Sequence, residues 1–222
     1  MRMTWDAHTD AKGNTSILKS ISNFDSTGPD NFQFCTKLKV EIFKMTYMEA
    51  KAVASLYKGI KKGSLENAVD TLWLNILNMY FHPNEGFVLH PQIPLSAATE
   101  KRGNIAVARV NNEGRQELVV LCESKRAGCE SRNAVWRSAV HQLTSNLNIA
   151  RAEFECEKRR TIYGIVGIGR YCRIYQLGGN PGEKLVDFPL TGGRAMHIQK
   201  DQEEIHQALQ ELVEITSVFS SS

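Results

Sequence analysis

Apolar side chains fall into runs whose spacing switches from helical to strand-like and back along this chain. Between Tyr47 and Ile60, the positions Met48, Val53, Leu56, Tyr57 and Ile60 recur at helical intervals and predict a helix ending near Lys61-Lys62-Gly63. Ser64 is placed to cap a second helix, because its hydroxyl can accept from an orphan backbone N–H. Leu65, Val69, Leu72, Trp73, Ile76, Leu77 and Tyr80 then supply its buried face, and His82-Pro83-Asn84 ends it. Strand signals follow at Gly86–Ile93, Ile105–Val110 and Leu118–Cys122. The last two flank Asn111-Asn112-Glu113-Gly114, a turn short enough to favour a hairpin.

The run Leu118-Val119-Val120-Leu121 has no polar alternation, which predicts a strand buried on both faces with Glu123 emerging at its end. A long helix is expected over Ser131–Glu157, with Val135, Trp136, Ala139, Val140, Leu143, Leu147 and Ala150 as its stripe. Two more strands, Thr161–Val166 and Tyr171–Leu177, meet around Gly167-Ile168-Gly169-Arg170. Gly178–Gly182 reads as a loop, and Asp201–Val218 as a final amphipathic helix. Residues 1–34, rich in Asp, Asn, Ser, Thr and Gly, read as an irregular arm, which leaves residues 35–222 as a single domain.

Composition narrows the class. With 42% hydrophobic and 23% charged residues the chain is ordinary globular protein, which excludes collagen-like and wholly disordered states. A net charge of +3 permits contact with nucleic acid without requiring it. The five cysteines are an odd number and lack CxxC spacing, so reduced thiols are a simpler reading than a disulfide framework or a zinc site. The N-terminus has no apolar segment of signal length, and no apolar run approaches the roughly 20 residues that span a bilayer. A cytosolic or nuclear protein with no membrane partner is expected.

The element order is helix, three strands, helix, strand, strand, helix, with Glu123-Ser124-Lys125 closing the third strand. In a strand, residues two apart point to one face, so Glu123 and Lys125 can share a site while Ser124 points away. The tripeptide alone is as readily an exposed salt pair. In this position, the segment Ser64–Leu177 resembles the PD-(D/E)XK nuclease superfamily, in which an apolar strand ends in (D/E)-x-K. The resemblance implies an α/β fold with a restriction-endonuclease-like α-β-β-β-α-β core, its mixed central sheet flanked by helices. It further implies carboxylates holding Mg²⁺ or Mn²⁺ and a lysine positioning the attacking water.

Carried over residue by residue, the resemblance makes Glu123, Lys125 and Gln142 the catalytic candidates, and Glu66, Asn104 and Glu123 the metal candidates. Glu66, in the first turn of its helix, is equally good for the helix dipole. Gln142 matches the glutamine of a Gln-x-x-x-Tyr pattern, but Asn146 stands where tyrosine belongs. Asn104, preceded by Gly103, replaces the Asp of the "PD" pair, which exchanges an anionic ligand for one neutral carbonyl oxygen. Glu100 is a displaced substitute to consider, and Lys101, Arg102, Lys125, Arg126 and Arg132 make a basic surface that is as readily a solvated face.

Three functions are left to separate. One is a metal-dependent nuclease with a weakened metal site. The second is a catalytically degenerate member of the fold that binds nucleic acid or a protein. The third is a metal-independent enzyme, with no cofactor, acting on a small organic molecule with Glu123 and Lys125 as acid and base.

Overall fold

The structure, a computed structural model, describes residues 4–9, 15–20, 46–94, 102–153, 160–180 and 182–217. The chain divides into two compact units, Met1–Met45 and Thr46–Ser222. In the first, β1 (Thr4–Thr9) and β2 (Thr15–Ser20) pair antiparallel, with Thr4 opposite Ser20 and Thr9 opposite Thr15. Within 1–34, where the sequence suggests an irregular arm, the described residues 4–9 and 15–20 form two paired strands, and the unit boundary falls after Met45.

The second unit carries the helices and the larger sheet. A 3₁₀ turn (Tyr47–Glu49) leads into α1 (Lys51–Gly59) and α2 (Glu66–Tyr80). Then come β3 (Phe87–Pro94), β4 (Arg102–Val110), β5 (Gln116–Lys125), α3 (Asn133–Glu153), β6 (Ile162–Ile168) and β7 (Tyr171–Leu177). Two short strands, β8 (Leu185–Asp187) and β9 (Met196–His197), precede α4 (Gln202–Ser217). The fold is therefore α/β, with a mixed seven-stranded sheet ordered β3-β4-β5-β6-β7-β8 and β9 also paired to β7. Among the described strands the parallel pair is β5 with β6, joined through α3, as a parallel connection requires.

Several boundaries differ from the sequence expectation for local reasons. Ala50, in an extended conformation, splits the first predicted helix into the 3₁₀ turn and α1. Ser64 does not cap α2: its hydroxyl accepts from the Lys61 N–H at 2.9 Å, and Leu65 occupies the cap position. β5 continues to Lys125, so Glu123 lies within the strand opposite Val166 and not beyond its end. β8 and β9 are too short to show periodicity in sequence. Residues 154–157 and Val218, at the ends of two predicted helices, lie outside the described residues.

Helices cover both faces of the sheet. On one, α1, α2 and α4 bury Tyr57, Leu72, Trp73, Ile76, Leu77, Leu209 and Leu212 against Val107, Val120, Cys122, Ile165 and Ile174. On the other, Trp136, Ala139, Leu143, Leu147 and Ala150 of α3 cover Ala106, Leu118, Leu121, Val166 and Tyr175. Each fully buried Leu or Ile contributes about 1.5–3 kcal/mol. A bulge sets which residues of β5 face α3. Val107 is opposite Val120 but Ala108 is opposite Leu118, leaving Val119 as the extra residue. Val119 and Val120 both turn toward α2, and Leu121 returns to the α3 side. That phase puts Glu123 and Lys125 on the α3 side, and Cys122 and Ser124 on the other.

Gly167 of β6 marks a close approach of α2 to the sheet. A Cβ built on it would stand 2.8 Å from Cδ1 of Trp73 and closer still to the indole nitrogen, and Trp73 is wholly buried. Gly167→Ala should therefore destabilise the protein by about 1–3 kcal/mol through overpacking. Gly59→Ala at the end of α1, with nothing within 4 Å, should be neutral or stabilising by up to about 1 kcal/mol. Urea unfolding of both variants checks the contrast.

Candidate active site

Three elements converge where β5 ends. β5 brings Glu123 and Lys125, α2 brings Glu66 and Asp70 from its first two turns, and α3 brings Gln142 and Asn146 from its middle. In each helix the pair is four residues apart, which places both members on one face. β4 adds Asn104. Its register with β5, in which Ile105 is opposite Cys122, carries Asn104 opposite Glu123 one step further on.

Glu123 is fully buried. The Lys125 ammonium donates to its Oε1 at 2.7 Å and to Oε1 of Gln142 at 3.0 Å. Asn146 Nδ2 approaches the other oxygen of Glu123 at 3.4 Å. Glu66, with its side chain half-exposed, lies 3.8 Å from Lys125, within ion-pair range but too long for a hydrogen bond. Asn104 donates from Nδ2 to the two oxygens of Asp70 at 3.0 and 3.3 Å. Partner chemistry orients these amides: a carboxylate takes only donors, and an ammonium takes only acceptors.

Burial pushes the Glu123 carboxyl above the ordinary glutamate value, against the opposing effect of Lys125. The nearby charges of Glu66 and Asp70 push it further up. Glu123 therefore holds a proton more readily than an exposed glutamate, while Lys125 favours its anionic form.

The structure thus brings together all five sequence candidates: Glu123, Lys125 and Gln142 in direct contact, Glu66 at ion-pair distance, and Asn104 across the strand pair. Glu100 and Lys101 lie outside the described residues. Sequence reasoning missed Asp70, although its position one helical turn after Glu66 was the available signal. Asn146, which departs from the tyrosine pattern, nevertheless reaches Glu123. Two histidines serve elsewhere: Tyr80 Oη and His206 Nδ1 are hydrogen-bonded at 2.6 Å in the core, and His197 Nδ1 accepts from the Gln199 and Lys200 N–H groups ahead of α4.

Among the described residues no three His, Cys, Asp or Glu side chains converge as a metal-binding group. Mg²⁺, however, commonly keeps several waters and takes one or two protein carboxylates together with substrate phosphate oxygens. Asp70 and Glu123, hard anionic oxygen donors with the Asn104 amide between strand and helix, fit that requirement in donor chemistry. Comparison with protein-family models, with curated proteins and with solved structures found no significant match.

The raised Glu123 carboxyl has a consequence for stability. Between the ordinary glutamate value of 4.5 and its raised value, the folded chain binds more protons than the unfolded chain. The stability this group contributes is thus full below 4.5 and is lost as pH rises through the raised value. Urea unfolding of wild type and Glu123→Gln across that window should show the wild type losing stability relative to the variant as pH increases. Parallel curves would mean that Glu123 titrates as an exposed glutamate does.

Proposed function

We propose that this chain is a metal-dependent nuclease that hydrolyses phosphodiester bonds of nucleic acid at the Glu123–Lys125 site. The observation that carries this reading is a buried carboxylate and an ammonium on one strand end, joined by Gln142 from α3 and flanked by two carboxylates from α2. The order α2-β3-β4-β5-α3-β6, with β5 and β6 parallel, supports the resemblance to the PD-(D/E)XK superfamily.

In this proposal Asp70 and Glu123 would hold Mg²⁺ or Mn²⁺, with Asn104 offering a carbonyl oxygen and Glu66 a further charge. The bound ion would lower the pKa of water and offset charge on the phosphate. Lys125 has three N–H donors, of which Glu123 and Gln142 take two. The third can hold the attacking water or a non-bridging phosphate oxygen. Hydrolysis joins the water oxygen to phosphorus and breaks the bond to the leaving oxygen. One water proton ends on that leaving oxygen. Gln142 keeps the ammonium from swinging away, and Asn146 steadies the carboxylate.

The metal-free reading, acid/base chemistry on a small organic molecule, draws on one observation: Lys125 already occupies an oxygen of Glu123. It predicts turnover that a chelator leaves untouched.

Calorimetric titration of Mg²⁺ and Mn²⁺ is the deciding test. Binding should weaken by at least about tenfold in Glu123→Gln and in Asp70→Asn, since even outer-shell changes cost that much. It should return in Asp70→Asn combined with Asn104→Asp, which moves the carboxylate from helix to strand. Absence of binding at millimolar metal in wild type sinks the proposal. Chelator-sensitive cleavage of DNA or RNA should also fall by about 100- to 1000-fold in Lys125→Ala, as expected for loss of one charge-stabilising donor.

A further inference from the structure

The segment 61–64 that leads into α2 and the loop 126–132 that follows β5 lie side by side at the mouth of the site. Two backbone hydrogen bonds join them, Gly63 N–H to the Ala127 carbonyl at 3.2 Å and Ala127 N–H to the Ser64 carbonyl at 3.0 Å. Gly128, at φ +92°, makes the approach possible. A Cβ there would stand 3.0 Å from Cγ of Lys62 and 3.4 Å from the Gly63 nitrogen. The β6–β7 turn braces the assembly from behind: Gly169 N–H donates to the Lys125 carbonyl at 3.2 Å. Next to it, Arg170 donates to the Ile60 carbonyl while its guanidinium lies 4.6 Å from the Tyr57 ring centre.

This frame sets Lys61, Lys62, Arg126 and Arg132, all exposed, along one rim. Among the described residues none of the four has an ion-pair partner. The one acid on these segments, Glu130, and the nearest acid of α2, Glu66, have partners of their own. Glu130 accepts from the Gly128 N–H at 2.8 Å, and Glu66 faces Lys125. The rim is therefore cationic, while the floor it borders, formed by the buried Glu123 and the part-buried Asp70, is acidic.

We infer that this rim is the track for the sugar-phosphate backbone of a nucleic-acid strand, gripping the phosphates that flank the one presented to Glu123 and Lys125. A phosphodiester strand can cross the rim while lowering a single phosphate to the floor, which a flat anionic bilayer cannot do. Affinity on such a track comes from release of counterions and does not depend on base sequence. The inference rests on the nuclease reading for the identity of the polyanion.

The test is fluorescence anisotropy of labelled single-stranded DNA, duplex DNA and RNA of one sequence, titrated with the full chain across a salt series. Chelator is present throughout, so that no turnover competes with binding. Four neutralised phosphates on a duplex predict a slope of log affinity against log salt of about −3 to −4. Lys62→Gln combined with Arg126→Gln should flatten that slope by about 2, while Lys184→Gln at the opposite end of the sheet should leave it unchanged. An unchanged slope in the double variant, or no salt-dependent binding to any of the three probes, overturns the inference. Should thermal melting show the double variant misfolded, Lys61→Gln and Arg132→Gln are read singly, each expected to flatten the slope by about 1. Rim-dependent binding without cleavage when Mg²⁺ or Mn²⁺ is supplied would sink the nuclease reading and leave the track standing. Cleavage indifferent to the rim variants would do the reverse.

Discussion

A carboxylate taken wholly out of water costs several kcal/mol unless its charge is matched and its oxygens are hydrogen-bonded. Glu123 is in that situation, at zero exposure on the strand the rest of the sheet is built around. Lys125 matches the charge from two residues away, Asn146 approaches the second oxygen, and Gln142 fixes the ammonium in turn. Remove one member and another is left buried with its hydrogen-bonding capacity unmet, a worse state than an apolar replacement of the whole set. The arrangement therefore dictates where α3 must lie along β5. It also explains a polar layer beside a core that is otherwise built mainly of Leu, Ile, Val and Ala with Trp136 and Tyr175.

The same constraint organises the neighbouring segments. Glu66 and Asp70 add negative charge that an isolated glutamate would resist, and the Asn104 amide meets Asp70 with N–H donors. An aspartate at position 104 would instead set two carboxylates against each other across the strand and helix. Asparagine on β4 and aspartate on α2 are thus physically linked choices: the anionic oxygen has a place on the helix because the strand supplies the donor. Beyond the site, backbone hydrogen bonds clamp three loops together, so the exposed cations stand on a joined backbone frame beside the buried Glu123 and the part-buried Asp70.

Much of this architecture is legible in the sequence because burial leaves a periodic record. The stripe from Val69 to Tyr80 identifies α2, the uninterrupted apolar run before Glu123 identifies a central strand, and the strand Tyr171–Leu177 is found at its observed limits. Short elements leave no such record: β8 and β9 have three and two residues and are held by pairing with β7. Serine favours the cap role, but α2 begins one residue later and the Ser64 hydroxyl accepts from the Lys61 N–H instead. Asp70 has one signal in the sequence, its place one helical turn after Glu66, but an acid in an amphipathic helix is as readily a solvated position until its neighbour across the fold is known.

By itself the sequence determined the α/β class, the order of the main elements, and the placing of Glu123 and Lys125 on one side of a buried strand, since all of these follow from local periodicity and the two-residue repeat of a strand. Tertiary structure alone decided which side that was. The bulge at Val119 resets the alternation, and its position depends on pairing with β4 rather than on any residue preference in Leu118–Cys122. It alone also brought Asp70 to Asn104, and Lys62 to Gly128, across separations that local pattern does not span. Contacts between distant segments are fixed by how whole elements pack and by which backbone groups still need partners, and those quantities exist only once the chain has folded.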